Sequence, residues 1–148
     1  MDGNEYISAI PLDVLPSPVG CSMFFKTIDK IFAINMGSAK FESLKLALDM
    51  VDCARPTTFE FMKNVLDSMH CEFVRVDLYN ELDGIFDCRA TFAVGDHSGG
   101  KKIVEIDARP SDAIALALRF STPIYIVASV LEKLEDMAAA YRKLRDEF

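Results

Sequence analysis

Short apolar runs separated by turn-forming residues occupy the first quarter of the chain, and this pattern predicts β-strands. Strands are expected at residues 6–12, 19–27 and 30–36. Leu15-Pro16-Ser17-Pro18 predicts a turn between the first two strands, and Ile28-Asp29 predicts a hairpin between the second and third. The N-terminal part of the chain is therefore expected to be mainly β.

Beyond Gly37 the apolar spacing changes to intervals of three and four residues, which is typical of a helix with one buried face. The positions that define the first such helix are Phe41, Leu44, Leu48 and Val51. Ser38 is expected to cap this helix, because a serine oxygen accepts a hydrogen bond from the free N–H groups at a helix start. Pro56 is expected to end it and to open a second helix that runs to about His70.

From Glu72 the apolar period becomes two, which predicts a meander of three strands. Asp83-Gly84 is a favourable hairpin turn after the first of them. The second strand presents one apolar face, formed by Phe86, Cys88, Ala90, Phe92 and Val94. The third strand is expected at residues 101–107, followed by a helix that Pro110 opens and a short buried strand at residues 124–127.

The tail is helical by pattern and carries an apolar seam, formed by Leu134, Met137, Tyr141, Leu144 and Phe148. The seam requires a partner surface, and both the chain's own domain and a second subunit satisfy that requirement. No linker divides the chain. The elements predict an α+β fold: one compact domain over residues 1–130, with antiparallel or mixed sheet elements and packed helices, and a C-terminal amphipathic helix at residues 131–148.

Composition narrows the class of protein. The 148 residues carry 16 basic and 23 acidic side chains, a formal charge of -7, so the chain lacks the general attraction to phosphate backbones that DNA-coating proteins have. The four cysteines form no Cys-x-x-Cys pair, which argues against a zinc site and for a reducing compartment. Asp2 and Glu5 stand where an export signal would be basic, and Arg119 and Pro123 interrupt the longest nearly uncharged stretch. A cytoplasmic protein without a membrane span is expected.

Two Ala-Arg-Pro-hydroxyl sequences, at residues 54–57 and 108–111, are the most informative local feature. Proline presets the first helical φ, and the free N–H groups behind it favour an anion. An arginine at such an end adds a planar donor pair suited to phosphate. Two such ends brought together could hold a phosphodiester. The alternative is purely local: Thr58, Ser111 and Asp112 cap helices, and Arg109 pairs with Asp107.

Other polar clusters carry weaker signals. Asp112 near a helix start repels a bare phosphate, so a site there more naturally includes a divalent cation that bridges carboxylate and phosphate. The acidic set Asp77, Glu81, Asp83 and Asp87 surrounds one hairpin, where acids are usually solvated. The glycines of residues 95–100 lack the following helix and the Lys-Ser/Thr pair of a phosphate-binding P-loop.

The run Ile106-Asp107-Ala108-Arg109-Pro110-Ser111-Asp112-Ala113, extended to Arg119 and by Thr122-Pro123-Ile124-Tyr125-Ile126, resembles the signature of the bifunctional nuclease family. Three upstream segments fall in the family's order and spacing: Asn35-Met36-Gly37, Arg55-Pro56-x-Thr58 and Asp83-Gly84-x-Phe86. The resemblance covers residues 19 to 131. It implies an α+β domain that assembles into homo-oligomers, with DNase and RNase activity.

The resemblance and the residue chemistry together lead to one hypothesis, a nuclease that hydrolyses phosphodiester bonds of DNA or RNA with the help of Mg²⁺ or Mn²⁺. The groups expected to hold the metal or activate water are Asp107, Asp112 and Glu60, of which Asp107 and Asp112 are the expected metal ligands. The groups expected to hold and orient the phosphate are Arg55, Arg109, Thr58 and Ser111.

Two departures from the family pattern support an alternative. Members often carry His-Asp after the matched threonine, whereas this chain has Phe59-Glu60. They also often carry a glutamate soon after the glycine of Met36-Gly37, where this chain has Lys40. Loss of a histidine removes a proton-transfer group or ligand. The alternative is therefore a non-catalytic oligomeric binding module.

Overall fold

A computed structural model describes residues 5–146. Its eight strands are β1 (Tyr6–Ser8), β2 (Ile10–Ser17), β3 (Gly20–Lys26), β4 (Ile31–Met36), β5 (Cys71–Leu82), β6 (Ile85–Gly95), β7 (Lys101–Ala108) and β8 (Ile124–Val127). Its five α-helices are α1 (Phe41–Leu48), α2 (Thr58–Ser68), α3 (Pro110–Phe120), α4 (Ala128–Lys133) and α5 (Ala138–Asp146), and a 3-10 turn (Ser38–Lys40) precedes α1. The α+β class expected from the sequence is confirmed.

The strands form two sheets. The larger has the order β1-β8-β5-β6-β7 and the smaller the order β2-β3-β4. The β5–β8 pair is parallel and the other pairs are antiparallel, so the larger sheet is mixed. The sequence predicted either antiparallel or mixed sheets. The β3–β4 hairpin and the β5–β6–β7 meander occur where alternation and turn residues predict them.

One hydrophobic core joins both sheets and helices α1 to α4, and a smaller cluster lies between α5 and the smaller sheet. The alternating face of β6 predicted from the sequence is buried at Phe86, Cys88, Ala90 and Phe92. Phe32 of the smaller sheet stacks on Phe86 of the larger at 6.4 Å between ring centroids. The middle of α3, from residue 113 to 117, is buried in the same core. This burial fixes α3 firmly against the larger sheet, so the start of α3 has a defined position.

The N-terminal strands depart from the sequence prediction. Residues 6–12 do not form one strand, because the chain passes from β1 in the larger sheet to β2 in the smaller one at the buried Ala9. The turn predicted at residues 15–18 is displaced: β2 continues to Ser17, Leu15 and Pro16 pair with β3, and the turn lies at Pro18 and Val19. Pairing with β3 outweighs the local turn preference of Pro16, which an edge strand tolerates.

Two predicted helix starts are wrong as well. Ser38 lies inside the 3-10 turn and caps nothing, since α1 begins at Phe41 without a side-chain cap. Pro56 is not the first residue of α2, which begins at Thr58 with Thr57 as its N-cap. Thr57 and Glu60 form a capping box, in which the backbone N–H of Thr57 donates to the Glu60 carboxylate at 3.3 Å. By contrast, Pro110 does open α3 as predicted.

The tail forms two short helices, α4 and α5, and the break between them contradicts a single continuous helix. The seam packs on the chain's own smaller sheet: Tyr141 lies 4.9 Å from Phe24 between ring centroids, with Met137 and Leu144 in the same cluster. Phe148, the last predicted seam position, lies outside the described residues. None of the helices between residues 5 and 146 is long and apolar enough to cross a membrane.

Candidate functional site

An open cleft of about 420 Å³ lies where three separate segments meet: residues 34–37 at the end of β4, residues 84–87 at the start of β6, and residues 107–111 at the junction of β7 and α3. Lys40 completes the lining. The three segments contain the Asn-Met-Gly motif, the Gly-x-Phe part of the Asp-Gly-x-Phe motif, and the Asp-Ala-Arg-Pro-Ser motif. The fold thus brings three of its distinctive motifs to one solvent-open place.

Backbone constraints hold two walls of the cleft. The β5–β6 hairpin turns through Asp83 and Gly84, both with positive φ, and the Gly84 N–H donates to the Glu81 carboxylate at 3.0 Å. On the opposite wall, Gly20 approaches the backbone of β4 so closely that a Cβ on it would lie 2.2 Å from the carbonyl oxygen of Met36. Its φ of +144° also disfavours other residues. Gly20 therefore permits the approach that positions Met36 and Gly37.

The start of α3 forms the floor of the cleft. Arg109 is the N-cap with extended backbone, and Pro110 follows in the first turn. The carbonyl oxygen of Arg109 accepts the N–H groups of Asp112 and Ala113 at 3.0 and 3.1 Å. In the described part of the chain no protein acceptor is recorded for the N–H of Ser111, which points out of the helix start. The helix dipole and this donor together favour a bound anion.

Three charged groups gather at this helix end. The Arg109 guanidinium contacts the Asp112 carboxylate at 2.8 Å, and the Lys40 ammonium lies 3.8 Å from the same carboxylate. The Arg109 side chain remains 72% exposed, so it is free to contact a ligand as well. Two cations therefore surround one carboxylate, and the repulsion of phosphate expected from Asp112 is offset. Arg109 pairs with Asp112 instead of Asp107, which corrects the local alternative drawn from the sequence.

Asp107 is exposed on the cleft wall, at the end of β7. No ion pair to Asp107 occurs among the described residues. Its carboxylate acts electrostatically on the neighbouring Cys88, whose thiol is buried in the core: burial first, and the Asp77 and Asp107 carboxylates next, raise the pKa of Cys88 to about 12. Cys88 is therefore a protonated core residue, and Asp107 is the accessible charged group.

The remaining predicted site residues lie elsewhere. Glu60 and Asp52 both line a depression beside Arg119, which lies at the C-terminal end of α3. Asp52 precedes and Glu60 follows the loop that carries Arg55. Arg119 is nine positions after Pro110, which corresponds to roughly 14 Å along the helix axis. Arg55 and Thr58 are exposed near that end, and neither lines the cleft. Of the two Arg-Pro turns, the one at Arg109 lines the cleft and the one at Arg55 does not.

Glu60 has structural partners. Its carboxylate accepts hydrogen bonds from Thr57 and forms an ion pair with the almost fully buried Arg119. Burial alone would raise the pKa of Glu60, but the Thr57 and Arg119 contacts together lower it below the usual glutamate value. The Arg119 guanidinium also lies 5.1 Å from the Phe59 ring centre. The catalytic role predicted for Glu60 stays a prediction, and it requires Glu60 to leave both partners.

The acidic residues predicted around the β5–β6 hairpin do not share one environment in the structure. Asp77 is buried and contacts Arg75 at 2.6 Å, so it has a structural role. Asp87 is exposed, lines the cleft, and accepts a hydrogen bond from Asn80 at 3.0 Å. Sequence reasoning missed Asp87 and Lys40 as cleft residues. The Asp83-Gly84-x-Phe86 motif was the signal for Asp87, whereas Lys40 had no signal beyond its departure from the family pattern.

The side chains that could bind a metal ion restrict how such an ion could be held. Within residues 5–146 no group of three His, Cys, Asp or Glu side chains is arranged to hold a cation. Asp112, one of the two expected ligands, is engaged by Arg109 and Lys40. The residues therefore do not form a site in which protein groups alone enclose a metal.

Comparisons with known proteins agree with the motif segments. The sequence model of the bifunctional nuclease domain matches residues 25–138. Bifunctional nuclease 2 of Oryza sativa subsp. japonica is 34% identical over 89 residues, which are 59% of this chain and 26% of the rice protein. Uncharacterised proteins from two strains of Mycobacterium tuberculosis are each 25% identical over 103 residues, 70% of this chain and 58% of theirs. The chain thus spans between about a quarter and somewhat over half of the length of these relatives.

Proposed function

Because the chain belongs to the bifunctional nuclease domain family, we propose that it hydrolyses phosphodiester bonds of nucleic acid in the cleft formed by β4, β6 and the β7–α3 junction. The observation that carries this proposal is the meeting of three motif segments around one free helix start. The curated relative named a bifunctional nuclease supports the substrate class. The match covers only 26% of the length of that relative. The activity is therefore proposed from the site as well as from the family.

Phosphate binding is assigned to the start of α3. The Ser111 N–H and the helix dipole attract an anion, and the exposed Arg109 guanidinium lies beside them. Lys40 adds a second cation at the same end. The positive charge here is local, which reconciles a nucleic-acid ligand with the formal charge of -7. The Ser111 hydroxyl is proposed to orient the bound phosphate.

Water activation is assigned to Asp107. It is the exposed cleft carboxylate without an ion pair among the described residues, so it can accept a proton from a water beside the phosphate. Asp87, on the facing wall, is the second exposed carboxylate of the cleft. Asp112 is proposed to hold Arg109 in place through their 2.8 Å contact. Glu60, Thr58 and Arg55 have no part in this arrangement.

Metal assistance by Mg²⁺ or Mn²⁺ is a further part of the proposal. Mg²⁺ is often held by one or two carboxylates together with substrate phosphate and water, and Asp107 with Asp87 could supply that share. Such an ion would stabilise negative charge on the phosphate. A cation of this kind binds together with substrate, because the protein groups alone do not enclose it.

The test is cleavage of labelled single-stranded DNA, double-stranded DNA and RNA by the purified protein, with Mg²⁺, with Mn²⁺ and with a chelator. Asp107→Asn is expected to lower the rate by roughly a hundredfold or more, since it removes the proposed base. Arg109→Met is expected to lower it by about tenfold or more, through phosphate binding. The matched controls are Asp29→Asn and Arg142→Met, which change the same residue types at exposed positions outside the cleft.

Equal activity in Asp107→Asn, Arg109→Met and the wild type would place the reaction elsewhere or assign it to a contaminant. Loss of activity in the chelator, with recovery in Mg²⁺ or Mn²⁺, would support the metal. Full activity in the chelator would remove the metal from the proposal and leave the rest intact.

The second candidate is a non-catalytic oligomeric module that binds an anion at the same helix start. The observation that favours it is Phe59, which stands where relatives often have histidine and packs under the Arg119 guanidinium. Oligonucleotide binding without cleavage, in Mg²⁺ and in Mn²⁺, would support the binding module. Cleavage that Asp107→Asn abolishes would support the nuclease.

A further inference from the structure

A groove of about 500 Å³ lies between α2 and the face of the larger sheet that carries Val104 and Ile106 of β7. Phe61 and Val65 of α2 form the opposite wall. Apart from Asp112, every described residue that lines the groove is apolar or a cysteine. The volume lies within the range of pockets that enclose one small ligand, about 300–1,000 Å³.

Large apolar side chains remain exposed along this groove. Phe61 is 63% exposed, Ile106 is 49% exposed and Met62 is 41% exposed. None of the described residues of α2 is buried, although the helix turns an apolar side towards the sheet. Contiguous apolar surface of this kind marks a binding site, because an occupant that removes it from water is stabilised. The groove is therefore suited to an apolar ligand.

Two cations stand at one end of the groove. Asp112, which lines that end, contacts the Arg109 guanidinium at 2.8 Å and lies 3.8 Å from the Lys40 ammonium. Two positive charges beside one negative charge leave this end with a net positive charge. Ala108 lines the groove as well as the cleft, so a ligand whose head group sits in the cleft can continue into the groove.

The carboxylates of the cleft belong to the other face of the sheet. Ile106 and Ala108 line the groove, and side chains alternate along a strand, so Asp107 projects from the opposite face. Asp87 lies on that opposite face as well, because its neighbour Cys88 is buried in the core. Neither carboxylate is among the residues that line the groove. The charged end of the groove therefore favours an anion.

Charge and shape together define the class of ligand. The groove is elongated, since from Val104 to Ala108 it follows β7 for roughly 13 Å, and it suits one alkyl chain. A two-chain membrane lipid would leave its second chain in water. We propose that this protein binds a long-chain fatty acid, with the carboxylate against Arg109 and Lys40 and the alkyl chain between α2 and β7. The site does not depend on the proposed hydrolysis of phosphodiester bonds.

Isothermal titration calorimetry of the full chain with dodecanoate, below its micelle concentration, tests the site. Dodecanoate is expected to bind at least about thirtyfold more tightly than octanoate, because each buried methylene strengthens binding by about fourfold. Dodecyltrimethylammonium, which has the same chain length and a cationic head, is expected to bind at least about tenfold more weakly than dodecanoate.

Two substitutions separate the head-group contact from the groove. Arg109→Met is expected to weaken dodecanoate binding by about tenfold or more through loss of the carboxylate contact. Val65→Glu is expected to weaken it at least as much, because it places a charge in the apolar groove. Arg142→Met and Val19→Glu, the same changes at exposed positions outside the groove, are the matched controls. Circular dichroism checks that each variant folds.

Fluorescence provides an independent readout that leaves the head-group site intact. The chain contains no tryptophan, so Phe61→Trp introduces a single fluorophore in the groove. Dodecanoate is expected to shift its emission to shorter wavelengths, because the alkyl chain excludes water from the indole ring. Ile28→Trp, at a position that is 90% exposed and outside the groove, is expected to show no shift.

Absence of dodecanoate binding overturns the proposal, as does an affinity that is equal for octanoate or equal for the cationic amphiphile. Unchanged binding in Val65→Glu, or equal emission shifts in Phe61→Trp and Ile28→Trp, also overturns it. Cosedimentation with vesicles of anionic phospholipid, without binding of free dodecanoate, would assign the groove to a membrane surface instead.

Discussion

Arg119 is the residue whose removal gives the sharpest test of the structural account. Its side chain is only 7% exposed and connects three helices. It forms an ion pair with Glu60 of α2, donates to the carbonyl oxygen of Ser43 in α1 at 3.0 Å, and donates to that of Ala115 in α3 at 2.7 Å. Arg119→Met keeps a long side chain but removes all of these donors.

The magnitude follows from what the substitution leaves unpaired. Removing one partner of a buried ion pair costs about 3–5 kcal/mol, because the other charge remains in a poor environment. The Glu60 side chain is 28% exposed, so water can solvate part of the orphaned carboxylate. Glu60 also keeps its contacts with Thr57. The lower end of the range is therefore expected, a loss of about 3 kcal/mol in the free energy of unfolding.

Urea unfolding followed by circular dichroism measures this loss, and Glu60→Gln completes a double-mutant cycle that isolates the pair. Arg109→Met is the matched control, because Arg109 is 72% exposed and its ion pair is expected to contribute less than about 1 kcal/mol. A loss below about 1 kcal/mol in Arg119→Met, or a cycle with no coupling to Glu60, would refute the assignment of Glu60 to a structural role.

Three further predictions concern stability and reactivity. Gly20→Ala is expected to cost roughly 2 kcal/mol or more, because its Cβ would meet the Met36 carbonyl at a strained φ; urea unfolding measures the cost, and a neutral result would contradict the close approach. The folded pKa of Glu60 lies below its usual 4.5, so its ionisation stabilises the fold above that value and the contribution is lost as pH falls through the lower folded pKa. Acid titration should show this loss in the wild type and a smaller one in Glu60→Gln; equal profiles would contradict it. Cys88, with a pKa of about 12, is expected to resist thiol reagents at pH 8 until the protein unfolds, and rapid labelling of the native protein would contradict its burial.

The sequence predicted the elements that local patterns determine. The β5–β6–β7 meander has period-two alternation with a glycine turn, and α3 has a proline at its first position and apolar residues at helical spacing. The start of α2 was misplaced although Thr57-Thr58-Phe59-Glu60 fits the capping-box pattern. The proline two residues earlier is an equally strong local signal, and the two cannot be ranked without knowing that Arg119 holds Glu60.

Long-range contacts account for the remaining differences. The passage of the chain between sheets at Ala9 depends on β1 pairing with β8, more than a hundred residues away. For the same reason the sequence grouped Arg55 with Arg109 by similarity of motif, although only Arg109 lines the cleft. Lys40 and Asp87 reach the cleft through the packing of separate elements on α3 and β6. Residues at the start of α3 were found because one contiguous motif contains them.

Binding of a short single-stranded oligonucleotide in the presence of a chelator, mapped by amide chemical shifts, tests the central claim most directly. It reports the position of the phosphodiester without requiring cleavage. The account predicts shift changes at Gly37, Gly84 and Ser111, around the start of α3. Changes confined to the Arg55 loop and the start of α2, or no binding at all, would contradict it.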